Sequence, residues 1–266
     1  MRSARFVSLL VLISIARSAT AHQATASAPQ ATTLLQQSLT ALSGGKTITD
    51  VTLSGTVERI AGSDDEFGTV VIQAVANGSN KIALSLPSGT RSETRTNSST
   101  GLDGSWSGPD GIAHTISYHN LLTDGGLFPT FTLAGFMVSQ NTVLTYIGQE
   151  SKNGAAVIHI TAYQQAPDLP AKAAALSQHL SQVEIFLDAT TLLPQSLAFN
   201  IHPDENALRD IPVEIDFSNY TVVNGVQVPF HIQKYINNSL ALDLQINSAL
   251  LNSGFSVSTF TLGVGL

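Results

Sequence analysis

The sequence predicts a mainly β protein with a few helices (α+β), built as one strongly curved antiparallel sheet with helices covering its concave face. Three observations carry this prediction. After Gly45, most segments alternate apolar and polar residues with a period of two. Short turn signals such as Asn153-Gly154 and Asn224-Gly225 join them. Apolar material that could lie on the sheet is confined to a few stretches, near residues 31–43, 120–138 and 171–180.

The elements follow in order. In ATTLLQQSLTALSGG, Leu34, Leu35, Leu39 and Leu42 recur at helical spacing, Thr32 or Thr33 can cap the start, and Gly44-Gly45 stops the helix. In VTLSGTVER, Val51, Leu53 and Val57 point one way, and Thr52, Ser54, Thr56 and Glu58 the other. The turn AGSDDEFG leads to GTVVIQAVANG, KIALSLP and TRSETRT. TVLTYIGQES and AAVIHITAY form a hairpin about Lys152-Asn153-Gly154. VEIFLDATTLLPQSLAFNIH gives two strands about a turn ending at Pro194. IPVEIDFSNY, VQVPFHIQKY and LALDLQINSALL each put their apolar residues on one face. Pro229, mid-run, predicts an edge strand or a bulge.

This makes about 11–12 strands in an up-and-down order, nearly all with one wet and one dry face. The dry face needs a cover. The opening helix and the segment NLLTDGGLFPTFTLAGFMV supply it, with Ala171 to Leu180 as a minor third candidate.

The first residues have the layout of a secretory signal. Arg2 and Arg5 precede an apolar run of ten, Phe6 to Ile15, and Ala19-Thr20-Ala21 offers a cleavage site after Ala21. The expected organisation is a signal peptide over 1–21, a flexible lead-in over 22–30 and a single domain over 31–266. Such a chain is periplasmic or secreted. It has no cysteine to carry a lipid near the cleavage site and none to make disulfides. No later stretch approaches 18 consecutive apolar residues, so no membrane span is expected after cleavage. Losing Arg2, Arg5 and Arg17 leaves nine Lys+Arg against 19 Asp+Glu, a net charge of −10. That balance argues against nucleic acid and anionic membranes as partners.

The richest stretch for chemistry is GSWSGPDGIAHTISYHN, residues 104–120. A nucleophile elbow needs Gly-x-Ser-x-Gly between a strand and a helix. In Gly104-Ser105-Trp106-Ser107-Gly108 the central position is tryptophan. Pro109-Asp110-Gly111 is turn chemistry. His114 and His119, five apart, share a face on neither a strand nor a helix. His159 reads as a packed or hydrogen-bonded strand residue, and His202-Pro203-Asp204-Glu205 as a solvated loop. Asp64-Asp65-Glu66 reads as a hairpin tip, since it lacks the spacing of a calcium loop. No H-x-x-x-H or H-E-x-x-H occurs. No catalytic residue, metal ligand or cofactor is expected from these patterns. The segment with Phe128, Phe131, Phe136 and Met137 remains, either as plain core or as the lining of an apolar cavity.

Four phrases carry a family resemblance: LLQQSLTALSGG, FLDATTLLPQSLAF, VEIDFSNYTVVNGVQVPFHI and LNSGFSVSTFTL. With the order helix, Gly-Gly, long meander, they make residues 31–262 similar to the LolA/LolB-type lipoprotein carriers and to exported bacterial proteins like them. The resemblance implies an unclosed half-barrel wrapped around helices, enclosing an apolar cavity for acyl chains. The chain departs from that pattern by extra material near residues 100–140 and 165–180.

The expected function is therefore a non-catalytic, exported carrier of a hydrophobic ligand, a lipid or lipoprotein acyl chain. The expected lining is Phe128, Phe131, Phe136 and Met137, with Trp106 near the mouth. Two alternatives stay open. A fully packed concave face would make the chain an interaction or scaffold module with an envelope protein partner. A hydrolase would have to use the loop rich in His, Asp and Ser.

Overall fold

The computed structural model describes residues 27–123, 126–255 and 257–262. The expected signal peptide and most of the expected lead-in lie outside the described residues. The described residues form thirteen strands in one sheet. Helix α1 (Ser27–Ser43) precedes β1 (Asp50–Ala61), β2 (Asp64–Val75), β3 (Asn80–Leu86), β4 (Gly89–Ser98), β5 (Gly101–Ser107) and β6 (Ala113–Thr115). A 3₁₀ turn (Tyr118–Leu121) and α2 (Pro129–Val138) follow. Then come β7 (Thr142–Lys152), β8 (Ala155–Gln164), α3 (Ala171–Leu180), β9 (Val183–Asp188) and β10 (Pro194–Ile201). The last strands are β11 (Ile211–Val223), β12 (Val226–Ile236) and β13 (Ser239–Leu251).

The spatial order is β6-β5-β4-β3-β2-β1-β13-β12-β11-β10-β9-β8-β7. Every neighbouring pair is antiparallel. The sheet is not closed: β6 and β7 are its edges. It is the curved, helix-lined wall that the alternation predicts.

Alternation decides which side chains go inside. Leu53, Val57, Val70, Ile72, Ile185, Ile215, Ile232 and Leu244 are buried on the concave side. Helix α1 lies against β7, β12 and α2. Its buried stripe is Ala31, Leu35, Ser38 and Leu42, with Leu34 and Leu39 on the flanks. The helix starts at Ser27, earlier than the expected boundary. Pro29 falls within its first turn, where a missing N–H costs nothing. Thr32 and Thr33 do not cap it. Their hydroxyls donate back to the carbonyls of Ala28 and Pro29 at 2.9 Å. Helix α3 forms over the expected residues, but its His179 fronts the convex side of the sheet.

Pro229 falls in a strand with neighbours on both sides, not at an edge of the sheet. It causes no break because β12 pairs with β13 only from His231 onward, so β12 has one partner at this level. The tight turns take the expected form. Asn153-Gly154 and Asn224-Gly225 both have positive φ, at 52° and 81° and at 51° and 84°.

Three of the phrases that carried the family resemblance are hydrogen-bonded clasps. In DATTLLP, Asp188 Oδ1 accepts from the backbone of Thr190 (3.0 Å) and Thr191 (2.7 Å) and from the Thr191 hydroxyl (2.9 Å). In the β11 phrase, the Tyr220 hydroxyl donates to the Pro194 carbonyl at 2.7 Å. In LNSG, Asn252 Oδ1 accepts from the Thr49 backbone at 2.7 Å, and Ser253 and Gly254 reach Asp50. Each phrase pins a turn or a chain end to the sheet.

Candidate functional site

The concave face is not filled completely. A cavity of about 380 Å³ lies over β1–β5 and the β12–β13 ends. Ile72, Ile82, Leu84, Leu127, Ile236 and Leu242 form its apolar lining. Cross-strand pairing explains their convergence: Ile72 faces Ile82 across β2–β3, and Leu84 faces Arg91 across β3–β4. The volume lies within the range of small-molecule sites.

Charge also enters the cavity. Arg59, Arg91, Glu93 and Lys234 line it. Arg59 pairs with Glu66 at 3.6 Å, and Glu93 holds Arg95 at 2.6 Å. Arg59 Nη1 and Arg91 Nε are buried without an acceptor at hydrogen-bond distance among the described residues. Buried N–H groups on half-buried arginines can still take an acceptor, so this border favours an anionic or acceptor-rich group.

The five residues singled out in the sequence do not share one site. Trp106 lines the cavity from β5, 46% exposed, with its ring stacked on His114 at 4.4 Å. Phe131 and Phe136 line a second hollow of about 420 Å³, between α2, the 3₁₀ turn and the tips of the first hairpins. Phe128 is 1% exposed and packs edge-on against Phe131 at 5.0 Å. Met137 is half-buried against the core. Neither Phe128 nor Met137 lines a described cavity.

The cavity residues that sequence reasoning missed left a signal. Lys234 continues the apolar phase Val226, Val228, Phe230, Ile232, and Arg59 continues the phase Leu53, Val57. A cation on the dry side of a strand marks a place where the wall is not packed solid.

The convex face carries a hollow of about 460 Å³ into which several ionisable side chains point. Glu184, Glu214, Asp216, Tyr235 and His179 line it. Burial, then a hydrogen bond to Glu214 and its charge, raise Asp216 to about 7 against the opposing pull of Lys152. Lys152 itself reaches Glu214 at 2.8 Å. His159 on β8 bonds Glu184 through Nε2 at 2.7 Å, brings Nδ1 to 3.3 Å from Glu150 and stacks on Phe186 at 4.4 Å. An acidic outer groove of this kind does not suit an apolar ligand.

The histidines of residues 104–120 part company. His114 belongs to the Trp106 stack. His119, on the 3₁₀ turn, lies edge-on to His202 at 5.9 Å. Gly104 to Ser107 sit within β5 rather than on a strand-to-helix elbow.

A scan against protein-family models finds no match, and neither does a sequence search of curated proteins. Solved structures do match. One is a domain described as an outer membrane lipoprotein-sorting protein from Vibrio parahaemolyticus, with TM-score 0.55 and 11% identity over 88% of this chain and 97% of that chain. Another is a LolA superfamily protein from Nitrosomonas europaea, with TM-score 0.56 and 12% identity over 87% and 97%. A DUF1329 family protein from Desulfovibrio piger gives TM-score 0.55 and 10% identity over 88% and 97%. At such identity the likeness concerns the backbone. Thirteen antiparallel strands bowed around helices and left open at β6 and β7 give this chain a LolA/LolB-like fold.

Proposed function

We propose that the protein is an exported, non-catalytic carrier that holds an amphiphilic lipid or acyl chain in the concave cavity. The observation that carries this reading is the cavity itself: an apolar wall of Ile72, Ile82, Leu84 and Leu242, unfilled by α1 or α2 and bordered by Arg59, Arg91 and Lys234. Apolar side chains facing a hollow gain from a hydrocarbon guest through removal of their surface from water. The bordering cations suit an anionic or acceptor-rich polar end. Trp106 at the β5 side forms part of the mouth, and Leu127 closes the cavity from the chain leading to α2. The LolA-type fold supports a carrier. The signal-like residues 1–21 support export to the periplasm or beyond. No described helix is long and apolar enough to cross a membrane.

The test uses protein purified from the compartment to which it is exported. Native mass spectrometry is expected to show a co-purifying lipid, and the stripped protein to take up a fluorescent fatty acid with saturation. Ile82→Trp puts a larger side chain on the cavity wall and is expected to abolish uptake while the fold persists by circular dichroism. A dry chain that takes up no fatty acid, or an Ile82→Trp variant that binds like the parent, overturns the reading.

A further inference from the structure

His179, His202 and Asp210 are far apart in sequence and meet in space. His179 comes from the last turn of α3, His202 from the residue after β10, and Asp210 from the residue before β11. The Nε2 atoms of both histidines aim at one carboxylate oxygen, Asp210 Oδ1, at 2.9 Å and 3.1 Å. The three donor atoms lie within 4.8 Å of one another. We infer that this triad is a binding site for a divalent transition-metal ion of the zinc type.

The chemistry of the donors points there. Two imidazole nitrogens and one carboxylate oxygen form a borderline-soft set, suited to zinc and its neighbours rather than to calcium or magnesium. Tetrahedral bonds of about 2.0–2.2 Å place ligand atoms about 3.3–3.6 Å apart. The observed separations from Asp210 need to grow by only a few tenths of an ångström.

Rigidity and openness are divided as such a site requires. The His202 side chain is 0% exposed. Its backbone is clamped by Asn120, whose Oδ1 accepts from His202 N and whose Nδ2 donates to His202 O, both at 2.8 Å. The His119 and His179 rings pack edge-on against it at 5.9 Å and 5.6 Å. Its Nδ1 is buried with no hydrogen-bond partner among the described residues, as is His119 Nε2. The one side-chain hydrogen bond of this fully buried imidazole goes to an exposed carboxylate oxygen that an ion could share. By contrast, the side chains of His179 and Asp210 are 41% and 43% exposed, which leaves the fourth coordination position to solvent. His179 also borders the convex groove, so an incoming ligand would reach the ion from there.

The spacing hid this set. His179 and His202 are 23 apart and Asp210 follows eight later, so no short motif joins them. Antiparallel pairing of β9, β10 and β11 brings the three ends together.

The experiment titrates Zn²⁺ into untagged, chelator-dialysed protein by calorimetry and repeats the titration with Co²⁺ in the visible region. The expected result is one ion per chain and Co²⁺ ligand-field bands. His179→Ala and Asp210→Asn change exposed side chains and are expected to fold. Each should weaken binding by about tenfold or more and remove the rise in thermal midpoint that Zn²⁺ gives the parent. His22→Ala, which alters a histidine outside the described residues, should leave affinity unchanged. Absence of saturable one-to-one binding, or loss of binding only in His22→Ala, overturns the inference.

Discussion

Asp50, at the start of β1, accepts two hydrogen bonds from Ser253, at 2.8 Å from its backbone N–H and 3.0 Å from its hydroxyl. The Gly254 N–H adds a third at 3.1 Å and the Thr49 hydroxyl a fourth at 2.9 Å. This carboxylate ties the chain beyond β13 to the strand that opens the sheet. Burial pushes its pKa up, but the donors from Thr49, Ser253 and Gly254 outweigh that and hold it below the usual 3.8. Asp50→Ala is expected to lower stability by about 1–3 kcal/mol at pH 7. A group held low in the folded state stabilises above its unfolded value, and the effect fades as pH falls through the folded value. The gap between parent and variant should therefore close below about pH 4. Urea melts across that range check it, and a gap independent of pH counts against the clasp.

Asp216 should behave in the opposite sense. Its folded value of about 7 lies above the usual 3.8, so its contribution is complete below about pH 4 and is lost as pH rises through 7. Asp216→Asn keeps the shape and cannot ionise. Calorimetric melts are expected to show the variant gaining on the parent between pH 4 and pH 8, by about 2–4 °C at the upper end. Parallel melting curves across this range would show that the carboxyl is not held protonated.

Trp106 is the chain's single tryptophan and lines the concave cavity. Ligand entry should therefore be visible in intrinsic fluorescence without a label. A saturating fatty acid is expected to shift the emission to shorter wavelength as the exposed indole loses water. Trp106→Phe should erase the signal while leaving uptake, measured by mass spectrometry, within about threefold. An unshifted spectrum at saturation would place the guest elsewhere.

Gly55 marks the seam where β1 meets β13. The register shifts beside it, between Ser54 and Gly55. A Cβ there would stand 2.0 Å from the Gln245 carbonyl oxygen. Backbone cannot yield as a flexible side chain can, so Gly55→Ala is expected to cost about 2–3 kcal/mol. Ala61, at the far end of the same strand, is exposed, and Ala61→Gly should stay within about 0.5–1 kcal/mol of the parent. Denaturant midpoints for the pair distinguish crowding at the seam from loss of strand propensity.

How much of this was legible beforehand follows from the range of each interaction. Alternation is local, so Val213, Ile215 and Phe217 showed their dry face at once, and Asn224-Gly225 showed its turn. Helix α2 was legible as cover because the run Pro129 to Val138 holds no charged residue. The cavity was harder. Its walls come from β1 to β5, β12 and β13, and only the strand order places Leu242 near Ile82. In the sequence the aromatic side chains are the more conspicuous apolar signal. Phe128 fills space next to Phe131 rather than leaving it, which is what large rings usually do. The histidine triad was out of reach for the same reason, since β9–β11 pairing is a property of the whole sheet.

The strand order has a consequence for how the molecule is made. β1 sits between β2 and β13, so the middle of the wall waits for the thirteenth strand to be delivered. Until then two separate arms exist, each ending in a bare strand ready to zip to the other. Pairing partners so distant in sequence join slowly. Neither arm can lock into its final shape alone, because each keeps a strand without its neighbour until β13 meets β1.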